Sequence, residues 1–214
     1  MITVIFAIKN RDRKRSENCI NSLKKQDCKT IVVDYGSHDL SWYGEVFTQG
    51  FIAVKTDTKV WNKSRAYNIG LKLVTTPYVL FSDIDNIFDP TFIEEVKKQI
   101  INEKTVVLCQ CEDLNEKGEV YRLHPKTGYG ACFGVDTDWI REVRGYDEFY
   151  TYWGNEDTDI AKRAKLDGYN LKWLDKPLIR HQWHEKAPRP TLDDNRRRLE
   201  YTDTIIRNDE WGEL

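Results

Sequence analysis

The segment Ile2–Ile8 reads ITVIFAI, apolar except for Thr3 and rich in Ile and Val. A run without polar alternation suits a strand buried on both faces, and such strands belong to parallel sheets covered by helices. Comparable runs recur at Thr30–Asp34 (TIVVD), Phe51–Val54, Tyr78–Ser82 (YVLFS) and Thr105–Cys111. Helical patterns lie between them. Cys19, Ile20 and Leu23 line one side of a helix over Ser16–Lys25, and Ala66, Ile69, Gly70 and Leu73 repeat at i, i+3, i+4 and i+7. Thr76-Pro77 breaks that second helix. Asp89-Pro90 opens a third, with Asp89 as N-cap, Pro90 at the first helical position, and Phe92, Val96 and Ile100 inward. This alternation predicts an α/β fold, a mostly parallel central sheet with helices on both faces.

The second half is less regular. Ala131–Val135 reads as a strand, Asp136–Val143 as a short helix ended by Gly145, and Asp157–Leu166 as a helix ended by Gly168. Asn170–Leu174 is expected as a last strand, and Asp193–Ile206 as a terminal helix in a polar tail. At 214 residues, with 40% hydrophobic and 32% charged residues, the chain can bury one sizeable core, and no linker or repeat divides it. A net charge of −2 argues against a strongly basic nucleic-acid binder but leaves room for a local basic patch. Cys19, Cys28, Cys109, Cys111 and Cys132 are odd in number and form no C-x-x-C pair, so neither a disulfide framework nor a zinc knuckle is expected. The opening MITVIFAIKN has no basic flank and meets charge at Lys9, so it reads as a strand rather than a signal peptide or membrane span. A cytoplasmic protein is the expectation.

The run YVLFSDIDN sets Asp83 and Asp85 just beyond a buried strand. If the segment stays extended, residues i and i+2 point the same way and face one ligand. In open α/β sheets ligands sit beyond the carboxyl ends of the strands. Two carboxylates there would repel a diphosphate unless a hard cation such as Mg²⁺ or Mn²⁺ lay between. Taken alone, D-x-D is better read as a strand end that merely caps a turn, because so short a motif matches often by chance.

The neighbouring segments resemble glycosyltransferases of the GT-A fold. W-N-K-S-R-A-Y-N-I-G-L (Trp61–Leu71) followed by Y-V-L-F-S-D-I-D (Tyr78–Asp85) is similar to their Arg- and Asn-containing helix and the strand ending in D-x-D. I-K-N-R (Ile8–Arg11) resembles the nucleotide-contacting loop of the beta-1,4-galactosyltransferases, and V-V-D-Y-G-S-H-D (Val32–Asp39) a segment of family 2 glycosyltransferases. G-Y-G-A-C-F-G-V, then R-G-Y-D-E-F-Y-T-Y-W-G-N-E-D with its helix ending in Gly, resembles the C-terminal part of the galactosyltransferases and polypeptide N-acetylgalactosaminyltransferases. L-I-R-H-Q-W-H (Leu178–His184) is similar to their metal-binding I-R-H segment. The likeness spans residues 2–184 in patches, leaving out 105–127 and the tail after Glu185. Asn155 departs from it, standing where these families usually have Gly.

The resemblance implies a single GT-A domain over 1–214. It has a nucleotide-sugar-binding half (1–103), an acceptor and catalytic half (104–185) and a polar tail or helix (186–214). It implies a UDP-sugar donor and Mn²⁺ or Mg²⁺ held by Asp85, His181 and Asp83, with His184 as the alternative to His181. Asp34 is expected at the base. Lys9, Arg11, Lys63 and Arg65 are expected at the phosphates, and Asp83 also at ribose or sugar hydroxyls. Asp157 is the expected general base, with Trp153, Gly154 and Glu156 binding the acceptor. The acceptor stays open among glycan, glycolipid, protein and modified nucleic acid, and the basic stretch Lys186–Arg198 could meet an anionic one. Inversion is favoured by Asp after Glu in W-G-N-E-D. A retaining enzyme and a non-catalytic sugar- or nucleotide-binding protein are the alternatives, while a sugar-nucleotide pyrophosphorylase is disfavoured because Ala7–Lys14 lacks glycine.

Overall fold

The computed structural model describes residues 1–56, 59–185 and 187–213. Lys186 and Leu214, part of the expected polar tail, lie outside the described residues. The first half runs β1 (Ile2–Ile8), α1 (Arg13–Leu23), β2 (Cys28–Tyr35), the single turn α2 (Tyr43–Val46), β3 (Gly50–Val54), α3 (Lys63–Lys72) and β4 (Tyr78–Ser82). It continues through β5 (Asn86–Phe88) and α4 (Phe92–Ile100). Then follow β6 (Thr105–Leu108), β7 (Cys111–Leu114), β8 (Val120–Leu123), β9 (Phe133–Asp136) and α5 (Thr137–Glu142). The chain ends with α6 (Glu156–Leu166), β10 (Asn170–Trp173), β11 (Ile179–His181) and α7 (Leu192–Glu200).

The main sheet has the order β10-β6-β9-β4-β1-β2-β3. β9 runs antiparallel to both neighbours, and every other pairing is parallel. β1 is buried along its whole length, as its unbroken apolar run requires. Its alternate residues feed two cores. Ile2, Val4, Phe6 and Ile8 pack with the inner faces of α1 and α4, and Ile5 and Ala7 with those of α3, α5 and α6. At Gly70 a Cβ would lie 2.8 Å from Ile5 Cγ2, so glycine lets α3 lie directly on β1. A smaller sheet, β5-β11-β7-β8, caps the carboxyl end of β4. Among the described residues no helix is long and apolar enough to cross a membrane.

Several local expectations change. The single strand at Thr105–Cys111 is two strands in different sheets. β6 is buried throughout, whereas β7 alternates in and out, and the chain changes sheets between them. Asp89 caps a turn, accepting from Thr91 N and Oγ1, so α4 starts at Phe92 behind Thr91. α7 stops at Glu200 because Thr202 turns inward to donate to Asp159. The stretch after β4 is not extended either: Asn86 N bonds Asp83 O at 3.2 Å and closes a turn.

Candidate active site

The turn pulls the two aspartates apart. Ile84 between them is buried in the core and pins the turn, so Asp83 and Asp85 meet different partners instead of facing one way. Asp83 Oδ1 lies 2.7 Å from Lys63 Nζ, and the same ammonium lies 3.5 Å from Glu156 Oε1. Lys63 opens α3, where Asn62 accepts from Arg65 N as N-cap. It is buried and sits 5.3 Å over the Tyr67 ring. Burial works against its charge, but Asp83 and Glu156 outweigh it and hold Lys63 well above the ordinary lysine range. Burial likewise pushes Asp83 up, and Lys63, with Arg11 behind it, more than reverses that.

Glu156 and Asp157 open α6 after a backbone passage that few residues tolerate. Tyr152 (φ 59°), Gly154 (φ 117°) and Asn155 (φ 74°) all have positive φ. Asn is among the non-glycine residues that best accept the left-handed region, which explains why it can replace glycine there. Glu156 Oε2 folds back to accept from Gly154 N at 3.0 Å, and the Asn195 side chain donates to Gly154 O at 3.0 Å. Asp157 Oδ1 accepts from Thr158 N, and its Oδ2 stands 2.9 Å from where a Cβ at Gly130 would be, so glycine makes its room. Burial, then the Glu156 charge, raises Asp157 to about 6.

Asp85, only 3% exposed, meets His181 Nε2 at 3.6 Å (Oδ1) and His184 Nε2 at 3.4 Å (Oδ2). One ligand atom from each of the three lies within 4.8 Å of the others. The remaining nitrogens fix the ring hydrogens. His181 Nδ1 is 3.2 Å from Asp113 Oδ1, and His184 Nδ1 is 2.6 Å from the Glu185 carbonyl. A carboxylate or carbonyl oxygen can only accept, so both Nδ1 atoms carry hydrogen, and with the rings neutral, as metal ligands must be, both Nε2 atoms present lone pairs. In that state two imidazole lone pairs converge on a carboxylate whose buried Oδ1 has no hydrogen-bond partner among the described residues. That arrangement is repulsive without a cation, and nitrogen with oxygen ligands suits a divalent transition metal such as Mn²⁺. The residues present therefore fit the expected ion.

Arg11 Nη1 lies 3.7 Å from Asp85 Oδ2. Lys9 Nζ donates to Lys59 O at 3.5 Å, beside Gly36. Both oxygens of Asp34 accept from Ser37, from its N at 2.9 Å and from its hydroxyl, which folds the loop after β2. Arg65 is engaged elsewhere, 3.8 Å from Glu148 and donating through Nε and Nη2 to Glu213 O at 3.2 Å each. Trp153 is 44% exposed, and the Arg189 guanidinium stacks 3.4 Å from its ring centre, so one face is covered. Asn68 and Arg163, the Asn and Arg of the matched helices, are structural. Asn68 exchanges hydrogen bonds with Tyr146 N and O at 2.8 Å each. Arg163 is fully buried on Asp159. The sequence reading missed Asp113 and Arg189, which stand in the stretches that matched nothing. The inward position of Asp113 in the alternating strand CEDL was the available signal.

The structure resembles S. aureus TarS 1-349, with a TM-score of 0.66 at 17% identity over 85% of this chain and 60% of that one. Its complex with UDP-GlcNAc superposes with a TM-score of 0.61 at 16% identity, over 86% and 59% of the two chains. In sequence, the chain is 22% identical to human Beta-1,4-galactosyltransferase 6 over 125 residues, which is 56% of this chain and 31% of that protein. The chain therefore spans about a third of that relative and less than two thirds of TarS 1-349. The sequence model of Glycosyl transferase family 2 matches residues 3–162, from β1 into α6 and so across the Asp83–Asp85 turn and the Glu156–Asp157 pair, and the chain belongs to that family.

Proposed function

We propose that this protein transfers a sugar from a UDP-sugar to an acceptor hydroxyl with inversion, using Mn²⁺ or Mg²⁺. The observation that carries the reading is the convergence of His181 Nε2, His184 Nε2 and the unpartnered Oδ1 of Asp85 beside the Asp83–Lys63–Glu156 chain. The donor seen with TarS supports the choice of a UDP-sugar. Residues 1–103 would supply the donor side and 104–185 the acceptor side.

Asp85, His181 and His184 would hold the cation, with Asp83 as a further ligand and toward the sugar hydroxyls. When bound, the ion neutralises negative charge growing on the departing diphosphate. Lys63, Arg11 and Lys9 face the phosphates, and Asp34 with Ser37 shapes the base pocket. Asp157 takes the acceptor proton, with Glu156, Gly154 and the open face of Trp153 orienting the acceptor. Its titration near 6 leaves it ionised at neutral pH and still basic enough to matter. Calorimetric titration of UDP tests the metal: tight binding is expected with Mn²⁺ and weak binding in chelator, with the difference lost in Asp85→Ala. Equal UDP affinity in chelator and in Mn²⁺ would sink the reading. An alpha-linked donor should yield a beta-linked product by NMR coupling, and retained configuration removes the inverting assignment.

A further inference from the structure

Asp113 lies in the stretch that resembles none of the glycosyltransferase motifs, yet it is the most heavily engaged carboxylate beside the histidines. It stands in a row across the smaller sheet. His181 on β11 is opposite Asp113 on β7, and Asp113 is opposite Arg122 on β8. Residues directly opposite on adjacent strands put their side chains in contact. Asp113 is 3% exposed, and a lone carboxylate at that depth would be costly. It is not alone: Arg122 Nε donates to Oδ2 at 2.6 Å with Nη2 on the same oxygen, and His124 Nε2 lies 3.1 Å from Oδ1. The second contact on Oδ1 is His181 Nδ1, at 3.2 Å.

We propose that Asp113 is a positioning residue that selects the tautomer of His181 and aims its Nε2 at the cation beside Asp85, with Arg122 holding the Asp113 carboxylate in place for that task. The inference rests on the metal reading above. A carboxylate accepts at both oxygens, so it can serve Arg122 through Oδ2 and the His181 Nδ1–H through Oδ1 at once. That leaves Nε2 bare. It also locks the ring plane, because β7 and β11 are hydrogen-bonded neighbours at this register. Outer partners of this kind orient metal-binding imidazoles and raise their basicity. Among the described residues His184 has for the same purpose the adjacent Glu185 carbonyl.

Asparagine at this position makes the opposite demand. Arg122 only donates, so it would draw the single amide oxygen to itself and turn the amide NH₂ toward His181 Nδ1. His181 would then have to accept at Nδ1 and carry its hydrogen on Nε2, pointing a proton at the cation. Alanine removes the acceptor without imposing the wrong tautomer. Asp113→Asn is therefore more damaging than Asp113→Ala, and Arg122→Leu added to Asp113→Asn frees the amide to turn back. A merely structural role for Asp113 gives neither the ranking nor the rescue.

The test is a Mn²⁺ titration followed by EPR at saturating UDP, on the parent chain and these three variants. It is paired with imidazole ¹⁵N shifts of the metal-free parent at pH 8, assigned with His181→Ala. The expected result is a loss of about 10–100-fold in Mn²⁺ affinity for Asp113→Asn, a smaller loss for Asp113→Ala, and partial recovery in the double variant. His181 of the parent is expected with its hydrogen on Nδ1. Parental Mn²⁺ affinity in Asp113→Asn overturns the positioning role and leaves the metal site standing. A parent chain that binds no Mn²⁺ overturns the metal site and the inference together. If the variants do not fold, the parent tautomer decides: hydrogen on Nε2 overturns the proposal.

Discussion

At the scale of single residues, Asp157 links activity and stability with opposite signs. Its folded-state titration, about 6, lies above the unfolded carboxylate value because of burial and Glu156. A raised value favours the folded state fully only below about pH 4. That contribution is lost as pH rises through about 6. Asp157→Asn escapes the loss. The variant is expected to melt about 4 °C or more above the parent at pH 8, with the gap closing by pH 4, as scanning calorimetry over pH would read. Transfer, in contrast, should fall by about 10²-fold or more in the same variant, and parental kcat/KM should decline below about pH 6. Near-normal turnover in Asp157→Asn removes it from the base role. For the histidines, both alanine variants should weaken Mn²⁺-dependent UDP binding, His181→Ala more, because His181 is braced by a buried carboxylate and His184 by one neighbouring carbonyl. The reverse rank by calorimetry would make His184 the principal ligand. Asp83, Asp85, His181, Glu156 and Asp157 could be nominated from sequence because each sits in a short contiguous motif. Asp113 was marked only by its inward place in the alternating strand CEDL, and the partners of Asp113 and Arg189 lie across strands or loops, where no local spacing names them.

At the scale of elements, the passage from Tyr152 into α6 shows how a binding loop is held in shape. Its first residue is tied to the entry of α3 by Tyr152 N on Trp61 O at 2.7 Å, and the segment just before it by the Asn62 side chain on Glu148 O at 2.8 Å. Asn155→Gly should leave stability almost unchanged, whereas Asn155→Val should cost about 1–3 kcal/mol by urea denaturation, because a β-branched residue resists positive φ. An equal loss in both variants would mean that the Asn155 side chain, not its backbone, matters. Arg163 anchors the other end. It bonds Asp159 Oδ2 at 2.8 Å, Gly145 O at 2.8 Å and Ile205 O at 3.0 Å with no exposure. Removing one partner strands a buried charge, so Asp159→Ala should lose about 3–5 kcal/mol in the same assay. A change below 1 kcal/mol would show that the pair is dispensable. The strands of the main sheet were readable because burial on both faces leaves an unbroken apolar run. The Asp83–Asp85 turn and the β7–β8 hairpin were not, since a turn pinned by a buried Ile84 looks in sequence like a strand that continues.

At the scale of the whole molecule, the proposed donor site predicts a ligand-dependent melting temperature. UDP with Mn²⁺ at about 100 times its Kd adds about 2.7 kcal/mol. That should raise Tm by roughly 5–10 °C for a chain of this size. UDP with chelator should add little, and an equal shift in both conditions would count against the metal. The fold class was legible throughout because strand and helix alternate in the first half. The second sheet was hidden because it joins β5, from early in the chain, to β11, from near its end. That union also dictates an order of events during synthesis. A nascent chain that has emerged from the ribosome only as far as Gly168 already exposes Lys63, Asp83, Asp85 and Asp157, but His181 and His184 have yet to emerge. On the proposed assignment the ion cannot settle until β11 slots beside β5, so the growing polypeptide stays inert toward nucleotide-sugars until that late strand has joined the smaller sheet.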